Sequence, residues 1–223
     1  MRILHVLDHG LPVQSGYTFR TRAILKAQTA RGWEVSGVTG PRHGASQEAF
    51  ERVDGLDFFR TSPPRPRPSP FGELSEISAF ARRIETAIDE FKPDVLHAHS
   101  PVLDALAALR VSKKRKLPLL YEIRAFWEDA AVGNGTGREG SLRYRVTRAL
   151  ETWAVHRAEG VAVICEGLRA DLVQRGIPAS KILVSPNGVD LRLFGNPAPY
   201  DARLAEELGL IGAEVIGFIG SFY

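Results

Sequence analysis

A doubly wound, Rossmann-like parallel α/β sheet is the architecture this sequence predicts, and three observations predict it. Short apolar runs alternate with stretches of helical periodicity along most of the chain. The runs are continuously apolar rather than alternating, which is the pattern of strands covered on both faces. With 223 residues, 44% hydrophobic and 25% charged, the chain has the size and balance of one large α/β domain, or of one domain and part of another.

The elements follow in order. Residues 3–7 form a first strand, and 9–16 the loop after it. The next segment carries Phe19, Ala23, Ile24, Ala27 and Ala30 at helical spacing and stops at Gly32, a residue suited to a helix end. Residues 35–39 and 56–60 read as strands two and three. TSPPRPRPSP must be an exposed extended loop, because proline excludes both helix and ladder pairing. Ser69 and Pro70 suit the start of a helix whose buried face is Leu74, Ile77, Ala81, Ile84, Ile88 and Phe91. Strand four at 94–98 leads to a helix near 103–111, and strand five spans 117–123. The glycine-rich stretch 130–140 reads as a mobile loop. A helix over 141–158, strand VAVIC, a helix over 168–175 and strand KILVS complete seven parallel strands with right-handed crossovers, an N-terminal domain over 1–186. Residues 187–213 read as an interdomain link with one helix, and 214–223 as the first strand of a second α/β domain.

Several classes are excluded. No apolar run approaches the roughly 20 residues a membrane span needs, and the N-terminus reads as a strand rather than a secretory signal. Cys165 is the only cysteine, so no internal disulfide forms and a reducing cytoplasm is expected. The net charge of +3 is mild and points to no nucleic-acid partner; only six of the 29 basic residues are Lys, and Arg is the better anchor for phosphate and carboxylate.

Parallel sheets bind ligands at the strands' C-terminal ends, so the loops there hold the candidates. DHGLPVQSGYTFR lacks the G-x-G-x-x-G fingerprint, which together with the missing acid after strand two counts against a nicotinamide-dependent oxidoreductase. Gly16 stands where this loop meets a helix N-terminus, an anion-binding position, or else is a plain turn glycine. In DVLHAHSP, alternation sends His97 and His99 to one side, His97 into the core and His99 to the cleft mouth. A metal there lacks further ligands at suitable spacing, so none is expected. YEIRAFWED groups Glu122, Arg124, Glu128 and Asp129 around Phe126 and Trp127, a set that suits sugar rings and hydroxyls; the alternative is that Arg124 pairs with a Glu to brace the loop. Cys165 reads as a small strand-end filler, and SPNGVD as a tight turn at the exit of the domain.

HGLPVQSGYTFRTRA, PDVLHAHSP, YEIRAFWED, LRYRVTRALETWAVHRAEGVAVICEGLRADL, SPNGVD and GFIGSFY together resemble the retaining family-4 glycosyltransferases (glycosyl transferase group 1). QSGYTFR and YEIRAFWED are similar to a subgroup associated with exosortase/PEP-CTERM exopolysaccharide loci. The resemblance implies a two-domain GT-B enzyme of which this chain is the acceptor-side half. It implies a nucleotide-sugar donor, a saccharide or lipid-linked acceptor, no cofactor and no metal. Gly16, Asn187 and Gly188 match donor-side positions, and His99 matches the H-x-H histidine near the transferred sugar, in a catalytic role. Tyr17, Glu122, Arg124, Trp127 and Glu128 are assigned to the acceptor. The chain departs from the family at Ser15, often a second glycine, and at Cys165, commonly Ser. The rival reading is a non-catalytic carbohydrate- or nucleotide-binding Rossmann module.

A last expectation concerns membranes. Leu142, Val146, Ala149, Leu150 and Trp153 share one helical stripe and are predicted to bury against the sheet or a surface, while Arg145 and Arg148 share another that Arg138 extends. With KKRK at 113–116 and Arg65 and Arg67, these cations predict docking of a cytoplasmic protein on an anionic membrane surface, the alternative being an ordinary solvated helix face.

Overall fold

The computed structural model describes residues 1–44, 48–196 and 198–217. In chain order the elements are β1 (Arg2–Leu7), α1 (Gly16–Thr29), β2 (Glu34–Thr39), β3 (Phe50–Val53), β4 (Leu56–Arg60), α2 (Phe71–Phe91), β5 (Val95–His99) and α3 (Val102–Arg115). Then come β6 (Leu119–Ile123), α4 (Trp127–Gly133), α5 (Leu142–Arg157), β7 (Gly160–Val163), α6 (Glu166–Gln174), β8 (Ile182–Val184), α7 (Leu191–Phe194) and α8 (Ala202–Glu207). The strands join in the order β3-β4-β2-β1-β5-β6-β7-β8, and every neighbouring pair is parallel except β3–β4. The architecture is thus the doubly wound α/β sheet expected, with one added strand. That strand, β3, pairs antiparallel with β4 at the sheet edge because Val53 and Leu56 are joined by Asp54-Gly55, both at positive φ (53° and 75°). Two left-handed residues between strands make the tight hairpin turn whose twist matches the sheet.

The chain winds outward from β1 to β2 and β4, then α2 carries it back to β5 on the other side of β1. The C-terminal ends of β1 and β5 therefore flank the switch point, where such sheets leave a crevice. The two faces of the sheet differ. On one, Leu4, Val6, Leu96, Ala98, Leu119, Tyr121 and Ile123 form the main core with Phe80 and Ile84 of α2, Ala105 and Leu109 of α3, and Ala154 and Val155 of α5. On the other, beneath α1, the apolar cluster is only Leu7, Leu25, Leu56 and Phe58, and the remaining floor is polar.

That polar floor explains one departure from the periodicity reading. The buried residues of α1 are Thr18, Thr21 and Leu25, while Phe19 is half exposed and Ala23, Ala27 and Ala30 face solvent. A helix lying on imidazoles and a carboxylate must offer hydrogen-bonding groups inward. Helix α5 departs likewise: Glu151, Ala154 and Val155 are buried, whereas Leu142 (79% exposed), Val146, Ala149, Leu150 and Trp153 face outward. Of the two placements expected for this stripe, burial against the sheet is therefore not the one found. The stretch expected as a mobile loop from 130 is also partly helical, since α4 runs through Gly133. Cys165 is exposed at the N-cap of α6 rather than filling a strand end.

Contacts divide the chain into Met1–Asn187 and Gly188–Tyr223. Within the second unit Asp190 and Asp201 cap α7 and α8 through their side chains, and of its described residues Ala205 is buried. Residues 214–217 carry no strand, and 218–223, where the rest of that strand was expected, lie outside the described residues. Among the described residues no helix is long and apolar enough to cross a membrane.

Candidate active site

Strand register assembles the polar floor at the switch point. His5 of β1 pairs with His97 of β5, and His99 pairs with Glu122 of β6. Side chains two residues apart on one strand share a face, so His5, His97, His99 and Glu122 all meet beneath α1. The His97 and His99 rings stack at 4.2 Å, and all four residues are at most 5% exposed.

A chain of hydrogen bonds fixes the tautomers. Arg124 Nη2 lies 2.7 Å from His99 Nδ1, and because a guanidinium only donates, Nδ1 is the acceptor. His99 Nε2–H then donates to His5 Nδ1 at 3.0 Å, and His5 Nε2–H donates to Gln28 Oε1 at 2.8 Å. Both imidazoles are neutral: burial, reinforced by His97 and Arg124, holds His99 well below the ordinary histidine value and takes His5 down to about 3. His99 is therefore not at a cleft mouth. It is fully buried, and both ring nitrogens are used within the protein.

Glu122 is the hub. Its Oε1 accepts from Arg20 Nε at 2.9 Å and Arg124 Nε at 3.0 Å, while Oε2 lies 3.2 Å from His97 Nε2, close but poorly aligned for a hydrogen bond. Burial alone would raise this carboxyl; the charge of the adjoining Arg124 opposes that and the group is held well below the carboxylate range. Arg124 donates further to Tyr17 O and Thr21 Oγ1, and its guanidinium lies 4.2 Å from the centre of the Tyr17 ring. Tyr17 Oη in turn accepts the Asp8 N–H. Arg124, Glu122 and Tyr17 thus brace one another, the pairing alternative weighed from the sequence for Arg124.

Arg20 ties this cluster to the turn after β8. Its Nη1 donates to Pro186 O and Asn187 Oδ1 at 3.1 and 2.9 Å, and its Nη2 to Ser185 O at 2.8 Å. Gly16 lies one turn back on the same helix. Ser15 caps the Thr18 N–H, and the N–H groups of Gly16 and Tyr17 have no partner among the described residues. The preceding loop adds a relay: His9 Nδ1 lies 2.8 Å from Asp8 Oδ2, and His9 Nε2 2.8 Å from Ser15 Oγ. Gly188 is exposed and begins the second unit.

Trp127 and Glu128 stand apart from this hub. Trp127 is 37% exposed, with the Arg42 guanidinium 5.4 Å from its ring centre, and Glu128 is buried against Arg175 at 2.9 Å. His5, Arg20 and the Asp8–His9–Ser15 relay escaped the sequence reading. For His5 the available signal was a polar residue inside an otherwise apolar strand, and for Arg20 a charge one turn inside the first helix. The three imidazoles offer atoms within 4.8 Å of one another, a spacing that would suit a cation. Two of them already donate to and accept from each other, and the Arg124 charge sits against them.

The glycosyl transferase 4-like domain family matches residues 15–188. The chain is similar to a sulfoquinovosyl transferase of Arabidopsis thaliana, 32% identical over 108 residues, which cover 48% of this chain and 19% of that protein. Among solved structures, sucrose-phosphate synthase from Thermosynechococcus elongatus matches with a TM-score of 0.72 at 16% identity, over 94% of this chain and 52% of that one. Anabaena HepE in complex with UDP matches with a TM-score of 0.61 at 19% identity, over 94% and 50%; the same protein has been solved with UDP-glucose. At these identities the likeness is one of fold, and the chain spans about half the length of these structures.

Proposed function

The chain belongs to the glycosyl transferase 4-like domain family, and we propose that it is the acceptor-side portion of a retaining glycosyltransferase that uses a nucleotide sugar and no metal. The acceptor is a saccharide or lipid-linked saccharide hydroxyl. The observation that carries this reading is the placement of the N-terminus of α1. Gly16 and Tyr17 present unpartnered N–H groups at the switch point, and Arg20 of the same helix holds Asn187. Bare N–H groups and the helix dipole stabilise the charge that develops on a departing diphosphate. The fold shared with HepE, which binds UDP and UDP-glucose, supports a nucleotide sugar as the ligand. Within this reading His99 positions Arg124 and the β1 and β5 loops, while Trp127 faces the acceptor and the buried Glu128 holds Arg175. Surface-glycan or exopolysaccharide synthesis at the inner face of the membrane is the setting the subgroup resemblance favours.

Gly16→Ala is the sharpest test. A Cβ at this position meets nothing within 4 Å, so the fold tolerates it while the surface offered to the phosphate changes. In the full-length protein, a panel of nucleotide sugars is screened by release of nucleoside diphosphate, and product anomers are read by NMR. The expected result is turnover with retention, and about tenfold weaker donor binding in Gly16→Ala at an unchanged melting temperature. Nucleotide-sugar binding without turnover on any acceptor would favour the non-catalytic module, and selective NADH binding would overturn both.

A further inference from the structure

The segment that carries α4 into α5 folds over a pocket of about 240 Å³, whose walls include Trp127, Glu128, Asn134, Arg138, Arg143 and Tyr144. Arg138 and Arg143 are exposed and make no close ion pair or hydrogen bond from their side chains among the described residues, although Arg143 is within electrostatic reach of Glu73. The acids of α4 are already engaged: Glu128 Oε1 holds Arg175 at 2.9 Å, and Asp129 Oδ1 accepts from Tyr144 Oη at 2.9 Å. Glu128 is buried, and its second oxygen, Oε2, has neither a hydrogen-bond partner nor accessible surface. Trp127 contributes a ring at the pocket wall that is partly open to solvent.

Each feature selects a part of a ligand. Two unpaired guanidiniums select a negative group and match phosphate or carboxylate oxygens in bidentate fashion. The part of the Trp127 indole left open beside Arg42 selects the C–H side of a ring. We infer that this pocket binds a saccharide carrying a negative charge, a sugar phosphate in its simplest form. Where the glycosyltransferase reading holds, the pocket is the acceptor subsite and the acceptor is anionic. The same chemistry is offered by a free sugar phosphate and by the head group of a sugar-phosphate lipid.

The test is direct binding by calorimetry to the full-length protein, with glucose 1-phosphate, glucose and inorganic phosphate as probes. Phosphatidylcholine vesicles with and without phosphatidylinositol form the lipid arm. The expected result is that glucose 1-phosphate, or the phosphatidylinositol vesicle, binds about tenfold or more tighter than glucose and than phosphate. Preference for the free probe identifies a soluble ligand, and preference for the vesicle alone a lipid head group. The double variant Arg138→Ala/Arg143→Ala should abolish the preference, and Trp127→Ala should weaken the ring-dependent part, both with unchanged melting temperatures. Equal binding of glucose 1-phosphate and glucose with no phosphatidylinositol preference overturns the inference. So does inorganic phosphate matching glucose 1-phosphate, or a preference that survives the double arginine variant. No donor is present, so this failure is separate from a failure of nucleotide-sugar turnover.

Discussion

Glu151 gives the prediction whose size follows most directly from the structure. It lies on the inward face of α5 at 1% exposure, Oε1 accepting from Tyr121 Oη at 2.6 Å and Oε2 without a partner. Burial raises its carboxyl from 4.5 to about 7, against the opposing Tyr121 hydrogen bond and with help from Glu128. A carboxyl raised in the folded state contributes stability that is complete below its unfolded value and is lost as pH climbs through the folded one. For one proton with these two values, the cost relative to pH 4 is about 2 kcal/mol at pH 6 and about 3 kcal/mol at pH 8. Glu151→Gln keeps the shape and a donor of the protonated acid but cannot ionise. The variant should therefore match the parent near pH 4 and exceed it by about 3 kcal/mol at pH 8, or about 6–12 °C in melting temperature for a body of this size. Calorimetric melts of both proteins from pH 4 to 8 decide it. Two melting curves running parallel across that range, whatever their offset, would refute the burial argument.

Three further outcomes are expected. Arg20→Leu removes one of two guanidiniums from buried Glu122 and the anchor of the Ser185–Asn187 turn, at a cost of about 2–3 kcal/mol because Arg124 remains; unchanged melting together with unchanged hydrogen exchange at 185–187 would sink the coupling. His5 has its folded value lowered to about 3, so the unfolded chain takes up a proton first and stability falls below about pH 6.5, by about 1.4 kcal/mol per pH unit; His5→Gln should shallow the acid limb of the melting profile by that slope, and an unaltered limb would place the histidine in a solvated site. The exposed Leu142, Val146, Leu150 and Trp153 stripe, with Arg157 3.9 Å from the Trp153 ring centre, should bring the protein down with phosphatidylglycerol vesicles at low salt but not at high salt; equal recovery in the supernatant after exchanging all four for Gln would leave the stripe without a membrane role.

Much of the fold was legible because the strands under α2, α3 and α5 are short, mostly apolar runs that present an unbroken apolar face to those helices. Residues 3–7, 94–98 and 161–165 can be little else than central parallel strands. The hairpin strand Phe50–Val53 escaped because its burial alternates weakly at an edge, although Asp54-Gly55 was a readable turn signal. Site residues were legible as loop positions but not as partners. Glu122 and Arg124 sit two apart on one loop, so their pairing could be weighed, whereas Arg20 and Glu122 are 102 residues apart and meet only through the sheet order. Burial of His99 was illegible for the same reason, since α1 covers it from the far side of the chain. The outward turn of α5 was missed because a stripe of Leu, Val and Trp at helical spacing reads as core, while the buried Glu151 beneath it breaks the pattern.

The polar floor under α1 has an electrostatic consequence that ties its parts together. Arg20 and Arg124 contribute two positive charges and Glu122 one negative, while His5 and His99 are kept neutral by burial and by Arg124 itself. These five side chains therefore carry a net positive charge at the switch point, close under the positive end of the α1 dipole. A protonated imidazole would add repulsion in a desolvated place, which is why the two rings exchange one hydrogen bond and accept one from Arg124 instead of pairing with the carboxylate. The charge that remains favours an anion at Gly16, and its two carriers are the same residues that fix Asn187 and the Tyr17 ring. An anion bound at Gly16 would accordingly depend on the same residues that place the loop. Arg20→Lys separates charge from loop placement: a single ammonium restores the charge near Glu122 but cannot span Ser185, Pro186 and Asn187 together. Nucleotide-sugar binding in that variant should fall less than in Arg20→Leu, while hydrogen exchange at 185–187 rises as much in both. An equal loss of binding in the two would make loop placement alone the source of the effect.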